Sequence, residues 1–77
     1  MSLHLEAGVI HLRGDCPVEA AEALLGLLQA HPAAPVDLGA ASALHTAVLQ
    51  VLLAWRPVVA VPPEDPFARR WLLPLLA

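Results

Sequence analysis

Leu38 to Trp55 is an eighteen-residue stretch without a formal charge, and how it divides decides what the chain is. Undivided, it has the length of a membrane span. Gly39, Ser42, His45, Thr46 and Gln50 interrupt it. Ser42 reads as a helix N-cap, since a serine hydroxyl accepts a hydrogen bond from an N–H of the first turn that has no intrahelical partner. The stretch therefore reads as a strand end followed by a shorter helix, and the chain is not expected to be transmembrane.

Size sharpens the requirement. The chain has 77 residues, and a chain this short buries only about 60–65% of the surface its unfolded form exposes. It reads as one domain over residues 1–77, whose large apolar side chains must carry the fold. They are abundant: 58% of the residues are hydrophobic and only 14% charged, against about 25% charged in a typical domain. So little charge predicts an exposed apolar patch. The net charge is −3 and the four basic residues are all arginine. Phosphate contacts need clustered cations, so no nucleic-acid partner is expected. A lone Cys16 cannot form an internal disulfide, and Met1-Ser2-Leu3-His4-Leu5-Glu6 lacks the basic start and apolar run of a signal peptide. A cytoplasmic location is the expectation.

Prolines and period-two alternation set the elements. Leu3 to Glu6 and Val9 to Arg13 alternate around Ala7-Gly8, predicting a hairpin with Leu5 and Ile10 on one face, as are Leu3 and Leu12, and His4 and His11 on the other. Gly14-Asp15-Cys16-Pro17 breaks the pattern, and Pro17 suits a first helical turn. Ala21, Leu24, Leu25 and Leu28 recur at helical spacing until His31-Pro32. Ala34 to Leu38 reads as a buried strand ending in a loop at Gly39. A second helix starts near Ala43, with Leu44, Val48, Val51, Leu52 and Trp55 as its apolar stripe and Thr46 and Gln50 together on another face. Arg56-Pro57 stops it. Val58 to Val61 is β-branched and strand-like, Pro62-Pro63 turns the chain, and Asp65 caps a last helix through Leu73. The order is β-β-α-β-α-β-α, an α/β fold with a small four-stranded mixed sheet packed against helices.

The stretch from Val36-Asp37-Leu38-Gly39 through His45-Thr46-Ala47-Val48 to Leu53 resembles the signature of STAS domains, the family of anti-sigma-factor antagonists. That signature is a strand ending in Asp-Leu, a loop, and an Asp-Ser-Ser-Gly-like tetrapeptide opening an apolar helix. Leu12-Arg13-Gly14-Asp15 with the following helix is similar to the family's second strand and first helix, and Phe67-Ala68-Arg69-Arg70-Trp71-Leu72 to the start of its third. The resemblance implies a non-enzymatic module for protein–protein interaction in bacterial signal transduction, of the anti-sigma or chemotaxis partner-switching type. The implied partner is an anti-sigma or histidine-kinase-like ATPase. An alternative is a constitutive accessory subunit of an ABC-type lipid transporter ATPase. The family's usual phosphoacceptor serine corresponds to Ala47, which has no hydroxyl. Some relatives instead carry the hydroxyl directly after the acidic residue, and Thr46 falls there as the candidate phosphorylation site. The chain also stops where the family commonly adds a strand and helix, leaving a sheet edge for a partner or a second copy to cover.

The expected partner-binding patch is Ser42, Ala43, His45, Thr46, Ala47 and Gln50. A phosphate on Thr46 would bring about −1.5 to −2 charges to a nearly uncharged surface and repel an apolar partner. His45 replaces the motif's acidic residue and reads as a cap or surface histidine. His4 and His11 offer only two ligands, so no metal site is expected. Cys16 reads as a small buried hydrophobe. Asp37 reads as ordering the loop after its strand through backbone N–H groups. No phosphate-binding glycine loop, nucleophile triad or paired carboxylates are present, so neither an enzyme nor a cofactor is expected, a small thiol or metal enzyme being the alternative from a different class. The leucines after Trp71, together with Phe67 and Trp71, suggest a surface covered by a homodimer or a client.

Overall fold

The computed structural model describes residues 2–64, 66–71 and 74. Strands Ser2–Glu6 (β1) and Val9–Cys16 (β2) are followed by helix Val18–Ala30 (α1), strand Val36–Leu44 (β3), helix Thr46–Trp55 (α2), strand Val59–Val61 (β4) and helix Pro66–Trp71 (α3). The sheet order is β1-β2-β3-β4, with β1 antiparallel to β2 and the two later pairings parallel. The fold is thus α/β with a four-stranded mixed sheet. No helix among the described residues is long and apolar enough to cross a membrane.

The hairpin forms in the predicted register, with Leu5 opposite Ile10, Leu3 opposite Leu12 and His4 opposite His11. Ala7 and Gly8 both take positive φ, 52° and 80°, the twist that a two-residue hairpin turn needs. Parity then sorts the sheet. Ile10 and Leu12 of β2 and Val36 and Leu38 of β3 are buried with Ala20, Leu24 and Leu28 of α1 and Val48 and Leu52 of α2. Helices α1 and α2 touch each other, and α1 also packs on β1 and β2. His4, His11 and Asp37 stand on the opposite parity.

Several boundaries differ from the sequence reading. Gly14, Asp15 and Cys16 continue β2 rather than breaking it, and β3 accompanies β2 in register as far as Cys16↔Leu44. This ladder carries Ser42 and Ala43 into a strand, so Ser42 is not a helix cap and α2 starts at Thr46, not near Ala43. Gly39 lies inside β3 at a register shift, not in a loop. In α1, Ala20 takes the buried place expected for Ala21, and Leu25 is exposed. Leu44 belongs to β3, which leaves Val48 and Leu52 as the buried residues of α2. β4 starts at Val59, and Val58 is exposed. The expected Asp65 cap and the leucine surface after Trp71 lie outside the described residues, as does the packing of Phe67 and Trp71.

Cys16 is buried, with its Sγ 3.6 Å from the Gly14 carbonyl oxygen. Burial pushes its thiol above the ordinary value of 9.0, against the opposing charge of the terminal amine and with a smaller push from the Asp15 carboxylate. A thiol that holds its proton more tightly when folded contributes stability that is whole below its unfolded value and lost as pH rises through the folded one. The chain has no tyrosine and no lysine, so apart from the terminal amine near pH 8 no other group titrates in that alkaline window. The urea midpoint is therefore expected to fall as pH is raised past 9.0. Cys16→Ala should flatten that slope, and an equal slope in the variant would refute the assignment.

Candidate functional site

The candidate patch begins where β3 hands over to α2. His45 occupies the N-cap with extended backbone, and its Nδ1 accepts the Ala47 N–H at 3.0 Å. The imidazole does here what Ser42 was expected to do. Such a cap requires a neutral ring with the proton on Nε2. The N–H groups of Val48 and Leu49 both reach the His45 carbonyl oxygen, at 2.9 and 3.1 Å. Three first-turn donors thus already have acceptors, and an added phosphate would act on this turn mainly through charge.

Thr46 follows as the first helical residue and is exposed, Ala47 is half-buried, and Gln50 is exposed one turn on. Ser42 and Ala43 are exposed at the end of β3. The six residues therefore lie along one strand-to-helix passage, two on the strand and four on the helix and its cap. Ser42 Oγ donates to Asp15 Oδ1 of β2 at 2.9 Å, which ties the two strand ends together. The sequence reading missed Asp15, because only the parallel register brings it beside Ala43.

Asp37 sits at the other end of β3. Its Oδ1 accepts the Gly39 N–H at 2.8 Å, and its Oδ2 accepts from His11 Nδ1 at 3.0 Å. The bond to Gly39 closes over two residues at the point where β3 shifts register, so it orders a bulge within the strand. Gly39 lies close against β4: a Cβ there would lie 2.7 Å from Val61 Cγ1, so the exposed Val61 side chain would have to move to admit one. The His11 ring stacks on His4, with centroids 5.2 Å apart, and His4 Nε2 donates to Glu6 Oε2 at 3.1 Å. Glu6, His4, His11 and Asp37 thus form a polar row across three strands. Among the described residues no group of three or more His, Cys, Asp or Glu side chains is arranged to hold a metal ion.

No protein-family model, no curated protein and no solved structure matches this chain.

Proposed function

We propose that the chain is a STAS-like, non-enzymatic regulatory module of the cytoplasm that binds another protein through the passage from β3 into α2. Its partner is a histidine-kinase-like ATPase of the anti-sigma or chemotaxis-linked type. The observation that carries the reading is Thr46. It is an exposed hydroxyl on the first residue of α2, preceded by a β3 end whose own residues carry no charge, with the Asp15 carboxylate of β2 beside Ser42, and its turn is held by the His45 cap. The position suits a switch. In a surface with so little charge, the −1.5 to −2 charges of a phosphate change the character of the whole patch. They also sit at the helix end whose dipole tolerates an anion.

The test is capture of the kinase-like ATPase by the wild type, Thr46→Ala and Thr46→Glu. Thr46→Glu is expected to weaken capture by about tenfold, a difference of roughly 1.4 kcal/mol, while Thr46→Ala retains it. Incubation with the kinase and ATP should add one phosphate at Thr46, read by mass spectrometry. Capture that neither substitution changes would refute the patch, and recovery of a transporter ATPase in place of the kinase would favour the accessory-subunit reading.

A further inference from the structure

Histidine is an uncommon helix cap. Ser42 precedes His45 on β3 and Thr46 follows it, and hydroxyls are the groups that normally take this place. The acceptor for the Ala47 N–H is nevertheless the His45 Nδ1, at 3.0 Å. The difference matters because a hydroxyl accepts at any pH, whereas an imidazole nitrogen accepts only while it is unprotonated. Histidine is also the side chain whose charge ordinarily changes between about pH 5 and 8.

We propose that this cap is a proton-operated latch on the passage from β3 into α2, closed while the His45 ring is neutral and released when the ring takes a second proton. In the imidazolium both ring nitrogens carry hydrogen, so Nδ1 would present an N–H to the Ala47 N–H. The positive charge would also stand at the positive end of the α2 dipole. Donor against donor and charge against dipole act in the same direction, and the ring leaves the cap.

The rest of the turn limits what is released. The His45 N–H donates to the Cys16 carbonyl oxygen at 2.9 Å, and the N–H groups of Val48 and Leu49 reach the His45 carbonyl oxygen. These are backbone bonds, which a proton on the ring does not remove. The end of β3 therefore stays tied to β2 while the first turn of α2 frays. No acidic residue stands in that turn to replace the lost acceptor. On the neighbouring elements the titratable and charged groups are Asp15, whose Oδ1 already accepts from Ser42, and the buried Cys16 at the end of β2, and Glu19 and Glu22 on α1. β3 carries only Asp37, at its far end, and α2 has no charge before Arg56 at its C-cap. None of these acidic groups stands on α2 to hold an imidazolium in the capping position. Thr46 is the first residue of the turn that frays, so the latch makes the shape of the passage depend on pH. The inference rests on the cap bond and stands apart from phosphorylation of Thr46.

The experiment is amide hydrogen exchange on the full chain at about pH 7.5 and about pH 5, each rate taken relative to an unstructured peptide at the same pH. Wild type, His45→Asn and His45→Ala are compared. Asparagine caps through an oxygen that keeps its lone pairs throughout this range, and alanine has no acceptor. The wild type should match His45→Asn at the higher pH and His45→Ala at the lower. Protection of the Ala47 amide should fall by about five- to tenfold between the two, while the amides paired between β2 and β3 keep theirs. Nitrogen NMR of the His45 ring should show the neutral form with its proton on Nε2 at the higher pH. Wild-type protection at Ala47 that does not change with pH overturns the proposal. So does an equal fall in His45→Asn, which would assign the change to His4, His11 or His31, and so does a neutral ring with its proton on Nδ1.

Discussion

Leu24→Ala is expected to lower the unfolding free energy by about 2–5 kcal/mol. Leu24 lies at the middle of α1 and is fully buried among side chains from β2, β3 and α2. Alanine is the best helix former, so the substitution does not weaken α1 itself. The loss comes from the transfer energy of the missing carbons and from the cavity they leave. A domain of this size has about 4–12 kcal/mol of stability in all, so one leucine represents a large share. At about 4–8 °C per kcal/mol for a chain of this length, the melting temperature should fall by about 10 °C or more. Leu25→Ala is the internal control. Leu25 is the next residue on the same helix but is 37% exposed, and its truncation should cost less than about 1 kcal/mol. Equal losses for the two, measured by urea denaturation, would show that the helix does not bury the face described.

The same pair of residues shows what could be read in advance. A helix over this stretch was legible from its apolar spacing and from His31-Pro32, but spacing alone allowed a stripe one residue wide of the true one. Which of Ala20 or Ala21, and Leu24 or Leu25, faces inward depends on how the helix rolls against the sheet. The hairpin was easier, because strict alternation on both sides of Ala7-Gly8 leaves one register that buries Leu3, Leu5, Ile10 and Leu12 together. The passage from β3 into α2 was harder. Ser42, His45 and Thr46 are all capable of starting a helix, and within five residues local propensity does not separate them. What does is the length of β2, which keeps its partner extended as far as Leu44. Asp37-Leu38-Gly39 has the composition of a turn, yet in the ladder it becomes a bulge, because Asp37 satisfies the Gly39 N–H that the neighbouring strand does not reach.

Asp37→Ala is the second substitution expected to have a large effect, and it removes one contact spanning 26 residues of the chain and one spanning two. Removing the carboxylate takes away the acceptor for the Gly39 N–H and the acceptor for His11 Nδ1 together. Both bonds are partly buried, with His11 and Asp37 side chains only 17% and 23% exposed. Leaving such a donor without a partner costs about 1–3 kcal/mol. Some of that returns here through water, so the expected total is about 2–4 kcal/mol. The conservative substitution separates hydrogen bonding from charge. In Asp37→Asn the side-chain oxygen still accepts from Gly39, and the amide NH₂ donates to His11 once the ring moves its proton to Nε2. That variant should lose less than about 1.5 kcal/mol, the usual net worth of one bond. The two variants should also differ in ordering. Without the acceptor at Gly39 the bulge loosens where β4 ends, and amide exchange should quicken at Gly39 and across Val59 to Val61 in Asp37→Ala but not in Asp37→Asn. Urea denaturation and exchange on the same samples check both points. If Asn were as damaging as Ala, the carboxylate would be acting through its charge on His11 rather than by bracing the bulge. If neither had an effect, the row from Glu6 to Asp37 would be surface decoration on a sheet held by its other face.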